Sequence, residues 1–448
     1  MFALFKRKFH NLISDKKFSE ILTGSVWALS ARVIATALGM VSSIIIVRWY
    51  GAEVLGIVAV LQSSLMLATI FTLLGTNTSI LRLIPEHLAK YSATSAFKVY
   101  RKTQYFVAGL SVITGAILFF ASGFIAYTVF HKPHLRFYFA LAAVFIIFES
   151  LLSLNTQAVR GLRLIKLFAL MQMLPQFCKL IILIPITISF HNLDNPVYAM
   201  FASIVIAALV GAFIVDRAFK SKTGANDRAQ HMPIREILSM SFPMLMTATM
   251  TFVIGQTGVI MLGMFRSEAE IGYYSIAVKL ATLTAFVLSA VNNMAAPKFA
   301  ELHFTDNVEE LFRIAKKSAK LVFWITTPIL LALVTLGKPI LSIFFGEDFS
   351  GCYPVLLLLI FGQFINYMSG STAMFLNMSG HQKVFQNIMF LVAMFNISIN
   401  AVMIPISGMY GAAIAATLSL AGWNIASLMY IKSKYGKTTA YFPIWKFK

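Results

Sequence analysis

About twelve runs of apolar residues, each long enough to cross a bilayer, follow one another along almost the whole of this chain. They lie near 21–48, 53–80, 103–129, 137–159, 167–189, 197–216, 238–264, 271–297, 320–345, 353–377, 385–405 and 410–431. In lipid every backbone N–H and C=O must be satisfied within the span, and runs of this length meet that demand as α-helices. The expected fold is an all-α polytopic membrane protein with about twelve transmembrane helices. Composition agrees: 12% of residues are charged, against roughly 25% in soluble domains. The connections are short, so no soluble catalytic domain has room to fold on either side. The opening MFALFKRKFHNLISDKK puts a basic cluster beside a long span that a second span follows directly, which does not fit a single cleavable signal peptide.

A net charge of +20 raises the question of nucleic acid, and its placement answers it. With both ends on one side of the membrane, the loops and tails of that side hold 29 of the 37 Lys and Arg residues. The opposite side holds only Arg48, Lys132, Arg136 and Arg266. This asymmetry is the positive-inside pattern and puts both termini in the cytoplasm. The basic charge is therefore topogenic, its partner is membrane lipid, and no nucleic acid is implied. Cys178 and Cys352 lie far apart and have no disulfide or metal spacing. No G-x-x-x-x-G-K-[ST] loop and no nucleophile–base arrangement is present, so the chain reads as a non-enzyme without metal or cofactor.

The chain also repeats itself in halves. GAEVLGIVAV at 51–60 resembles SEAEIGYYSI at 267–276, which sets Gly56 against Gly272 at an offset of 216. At the same offset AVFIIFE, 143–149, faces LIFGQFI, 359–365. Pro85 and Pro297 each close the second span of their half. The expected division is an N-terminal six-helix bundle over 1–220 and a C-terminal one over 221–448. Six spans per half make the halves parallel, and proteins of that build hold substrate near the midplane between them. The connection at 298–319 has room for an amphipathic helix, with Asp306 and Glu309 as its D-x-x-E start.

Five charged residues fall inside the apolar runs: Arg32, Glu149, Lys179, Lys279 and Lys338. Intramembrane charge costs at least ~2.5–3.5 kcal/mol on insertion scales and usually faces a partner, a cavity or the interface. Four basic residues against one acid suggest a central chamber for something anionic. Lys279 has Gly272, Ser275 and Thr282 at helical spacing, a stripe that suits a cavity wall. Arg32 either lines the inner chamber or snorkels to the cytoplasmic lipid heads. Glu149 and Lys179 sit centrally in consecutive spans; they are read either as an ion pair or as separate groups, Glu149 for ion coupling and Lys179 for substrate. Lys338, between Gly337 and Pro339, is read as an interfacial residue where the helix breaks. Of the many intramembrane amides most are interhelical glue, while Trp423 and Asn424 together form a candidate sugar or lipid contact.

The segment LGMFRSEAEIGYYSIAVKLATLTAFVLSAVNNMAAPKFAEL, 262–302, resembles the second-half signature of polysaccharide-biosynthesis flippases. In that signature an acidic outer turn precedes G-x-Y-x-x-A, a basic residue and a closing proline, here Glu268, Glu270, Gly272, Tyr274, Ala277, Lys279 and Pro297. RWYGAEVLGIVAV in the first half, ILSIFFGEDFSGCYPVLLLLI and PISGMYGAAIAATLS are similar to the same family. The resemblance, to O-antigen and capsule repeat-unit translocases of the MATE-like exporter superfamily, implies two six-helix bundles in a V that work by alternating access. It implies as substrate an undecaprenyl-diphosphate-linked oligosaccharide, flipped to the periplasmic leaflet of a bacterial inner membrane. Polysaccharide polymerase and glycosyltransferases are the implied partner enzymes, and a H+ or Na+ gradient the implied drive. Related flippases of peptidoglycan precursors typically have fourteen spans, against about twelve here. The alternative is a drug or metabolite exporter of the same fold driven by an ion gradient; a basic chamber counts against a cation exporter. Lys279 carries over from the family pattern, whereas Arg32, Glu149 and Lys179 rest on the charge argument alone.

Overall fold

A computed structural model describes residues 16–190, 192–222, 232–305 and 307–443, the side chains of 16–23 and 25 excepted. Among them there is no strand. The helices are α1 (Lys16–Leu73), α2 (Thr76–Lys90), α3 (Ala93–Phe124), α4 (Leu135–Gly161), α5 (Ile165–Ser189), α6 (Asn195–Lys220), α7 (Ile234–Phe265) and α8 (Glu268–Ala281). They continue as α9 (Ala285–Phe304), α10 (Val308–Phe345), α11 (Tyr353–Ser369), α12 (Thr372–Met378), α13 (Gln382–Ser407) and α14 (Met409–Tyr435).

Eleven helical segments are long and apolar enough to cross a membrane. The difference from twelve lies at one residue. Gly51, with φ 87° and ψ 174°, sits inside α1 and divides it into two arms. The first arm runs beside α5 in the same direction: Gly24 lies against Ile165, and Tyr50 donates to Thr187 at 2.8 Å. The second arm and α2 run beside α4: Thr72 meets Ser150 at 2.6 Å, and Gly161 lies against Ile84. Since α4 and α5 are antiparallel neighbours, the chain reverses at Gly51 and α1 crosses twice. Only a residue without Cβ takes this φ freely.

The first six crossings pack mainly on one another, as do those from α7 onward except α8, which packs chiefly against α1. One end of the molecule carries the turns at 161–164 and 379–381 and residues 221–222, and is rich in basic residues. The other end carries the short turns near 51, 131–134 and 266–267. At the basic end Ser79 and Ser241 share a hydrogen bond of 2.7 Å between the halves.

Two local expectations change. α10 runs unbroken past Gly337, Lys338 and Pro339 to Phe345, with Lys338 exposed on its surface. The same helix absorbs the amphipathic segment expected before it. It begins at Val308, and Asn307 accepts the Glu310 N–H at 3.2 Å as its cap; Asp306 lies outside the described residues.

Candidate functional site

Three of the five intramembrane charges meet in one cavity. A space of about 340 Å³ between the halves is lined by Arg32, Thr36, Gln62, Gln172, Lys179 and Lys279, among others. Lys279 projects from α8 about 16 Å below its first residue, at 1.5 Å per residue. Lys179 lies about 15 Å from the end of α5 on the same side of the molecule. Both therefore sit at mid-membrane depth. Lys279 Nζ donates to Ser43 Oγ on the first arm of α1 at 2.7 Å. An ammonium has three donors, and a hydroxyl neutralises none of its charge. Lys179 has no hydrogen-bond or ion-pair partner among the described residues. Arg32 is exposed and crosses to the second half, its guanidinium 6.0 Å from the centroid of the Phe286 ring on α9.

Among the described residues no carboxylate lines this cavity. Like charges sharing a low-dielectric space repel more strongly than in water, and an anion between them relieves the repulsion. Three glutamines, Gln62, Gln172 and Gln176, supply neutral donors and acceptors around the cations. The Gln172 Oε1 atom is buried without a partner, as an acceptor waiting for a donor would be. What this arrangement can do chemically is hold a compact polyanion edged with hydroxyl or amide groups.

Glu149 is elsewhere. It lines a larger cavity of about 760 Å³ between α4, the second arm of α1 and α7, together with Asn77, Ser153, Thr247 and Gln256. No ion pair joins it to Lys179, so the pairing expected from consecutive spans does not form in this structure. The two side chains leave neighbouring helices on different faces. Trp423 and Asn424 do not line the cationic cavity either. Trp423 packs edge-on against Phe385, with ring centroids 6.0 Å apart. Asn424 is fully buried; it accepts from Thr372 at 3.1 Å and donates to Asn366 at 3.0 Å and to the Leu420 carbonyl at 2.8 Å. Its amide is committed to packing the second half. N424A is expected to cost roughly 1–3 kcal/mol by leaving Asn366 and Thr372 underbonded. A thermal shift in detergent measures this, and transport per folded molecule should stay unchanged.

The intramembrane amides divide between packing and cavity walls, Asn77 being among the latter. Asn155, Asn366, Asn396, Asn400 and Asn424 bond within their halves. Gln62, Gln172 and Gln176 line the cationic cavity. Gln256 accepts from Ser63 across the two halves at 2.9 Å.

The short-turn end is sealed above the cavity. A Cβ on Gly56 would stand 1.9 Å from the Glu268 carbonyl oxygen, and one on Gly272 would stand 2.2 Å from that of Ala52. The backbones touch, which glycine alone permits. Lys132 donates to the Arg266 carbonyl at 2.6 Å and pairs with Glu268 at 3.3 Å. Arg48 donates to the carbonyls of Ser342, Ile343 and Phe344. The sequence flagged the two glycines as repeat partners; nothing in it announced that each touches the other half.

Similar folds are known. The inward-closed lipid II flippase MurJ aligns with a TM-score of 0.72 and 12% identity, covering 90% of this chain and 86% of its own. A multidrug resistance MATE family transporter of the MOP superfamily in an inward-facing conformation aligns with a TM-score of 0.69 and 15% identity, covering 92% and 98%. An outward-facing structure of a MATE family transporter gives 0.54 at 14% identity, covering 92% and 96%. The comparison with curated proteins gives no significant match. The family model described as polysaccharide biosynthesis protein matches residues 56–354, a stretch holding most of the seam and both cavity lysines. The chain belongs to this polysaccharide biosynthesis family, built on the fold of MATE transporters and MurJ flippases.

Proposed function

We propose that the chain flips an undecaprenyl-diphosphate-linked oligosaccharide repeat unit between membrane leaflets by alternating access, for O-antigen or capsule synthesis. The observation that carries this reading is the cavity with Arg32, Lys179 and Lys279 and no carboxylate in its lining. A diphosphate brings the charge that such a cavity lacks, and the glutamines suit sugar hydroxyls. The two halves are sealed at the short-turn end, while Arg32 is exposed toward the basic end. By the positive-inside pattern that end faces the cytoplasm of a bacterial inner membrane, where lipid-linked repeat units would enter. Entry of the head group beside Arg32 would leave the polyprenyl chain in lipid. Polymerase and glycosyltransferases are the partners expected before and after the transfer, and a H+ or Na+ gradient the expected drive.

The rival reading is an ion-driven MATE-like drug or metabolite exporter. It draws on Glu149, a carboxylate in a roomy and largely apolar cavity, which suits an organic cation. Reconstitution in proteoliposomes separates the two. The flippase reading expects the purified protein to expose fluorescent undecaprenyl-diphosphate-linked saccharide to the opposite leaflet and to leave a lipophilic dye cation where it is. Transport of the dye without movement of the saccharide would overturn it.

A further inference from the structure

The cavity of Glu149 and the cavity of the three cations stand in a row, linked through wall residues that each shares with a space between them. Between them lies a third space of about 190 Å³. It shares Met66, Gly255 and Gln256 with the Glu149 cavity, and Gln62, Lys179 and Lys279 with the cationic one. The Ser63–Gln256 hydrogen bond spans the halves at this waist. Charge is segregated along the row: cations at one end, the single carboxylate at the other, with no ion pair joining them.

Resting on the flippase reading, we infer that the substrate lies along this row of cavities, its diphosphate among Arg32, Lys179 and Lys279 and its sugar in the Glu149 cavity, where Glu149 selects a saccharide without a carboxylate. The volume of about 760 Å³ lies within the range of small-molecule sites, roughly 300–1,000 Å³. Its lining is largely apolar, Leu73 and Phe252 among it, with Asn77, Ser153, Thr247 and Thr251 as polar positions. Such a lining meets the C–H faces of a pyranose and leaves the polar positions for its hydroxyls. Ionised, Glu149 accepts hydrogen bonds only and receives hydroxyl, amide or ammonium donors; protonated, it also donates one. A uronic acid placed there would set a second carboxyl group against Glu149 in a desolvated space, where two carboxylates cannot both hold their charge. Discrimination would come from that repulsion more than from added attraction.

The test measures binding of three probes to the purified full-length protein in nanodiscs: undecaprenyl diphosphate, undecaprenyl diphosphoglucose and undecaprenyl diphosphoglucuronate. The wild type is expected to bind the glucosyl probe about tenfold or more tighter than the glucuronyl one, a factor worth about 1.4 kcal/mol. E149Q, nearly isosteric, should abolish that preference and leave bare undecaprenyl diphosphate bound as before. K279A should weaken all three alike. A preference that survives in E149Q, or an equal loss of bare and glucosylated probes in E149Q, overturns the proposal. So does unchanged binding of every probe in an E149Q protein that no longer transports, which would make Glu149 an ion-coupling group. Failure of bare undecaprenyl diphosphate to bind, or to lose affinity in K279A, overturns the flippase reading itself.

Discussion

Replacing Lys279 by alanine is expected to weaken binding of a diphosphate-linked head group by roughly tenfold to 150-fold. That range follows from the ~1.5–3 kcal/mol carried by a hydrogen bond to a charged group. Lys279 sits at mid-membrane, its only protein partner among the described residues is the neutral Ser43 hydroxyl, and no carboxylate faces it. K179A should act in the same direction, because Lys179 lines the same cavity from α5. S43A is the control: it removes a neutral anchor and leaves the charge, so its effect should stay below about tenfold. The readout is probe affinity in nanodiscs, with surface polysaccharide at equal protein level as the cellular counterpart. Undiminished affinity and polysaccharide in both lysine variants would remove the cationic cavity from the mechanism.

The second large effect is expected at the seam. G56V and G272V each place a side chain where a backbone carbonyl of the other half already stands. Backbone cannot move aside as a flexible side chain would, so the halves must part at the short-turn end. Overpacking costs of ~1–3 kcal/mol are typical in cores, enough to shift a two-state balance by roughly fivefold to 150-fold. Spin labels at Arg136 and Ile406, exposed residues on opposite halves at that end, should report a longer distance in either variant than in wild type. Flipping should fall sharply, since a protein that cannot close this end cannot accept a new substrate from the other. Wild-type distances together with normal flipping would show that the contact has no part in gating.

Much of this architecture was legible from the chain. Apolar runs located the crossings to within several residues, because lipid leaves a long apolar segment no other structure. The buried lysines were legible for the same reason: a charge at that depth stands out against its surroundings. What the sequence did not carry was the rotation of each helix about its axis. A span that is apolar on every face gives no hydrophobic stripe from which to read orientation. Glu149 and Lys179 were therefore placed on neighbouring helices but not in the separate cavities they line. Asn424 was equally ambiguous, since a buried amide serves a ligand or a neighbouring helix with the same atoms. Gly51 shows a different blindness: one residue reverses the chain where the run boundaries at 48 and 53 suggested a short loop.

The crossing of Gly56 with Glu268 and of Gly272 with Ala52 has the form of a contact between two identical subunits. Adding the repeat offset of 216 to Gly56 and subtracting it from Glu268 gives Gly272 and Ala52, the other contact, as in a two-fold dimer where residue i meets j and j meets i. Any change at such a position is felt twice in a true dimer and once here. The fused chain can therefore vary one glycine's surroundings without disturbing the other's. It has used that freedom around the seam, where Lys132 and Arg48 secure the first half to different partners in the second. The midplane cavities carry the same asymmetry further, with cations at one end and a lone acid at the other, an arrangement that two identical halves could not have built.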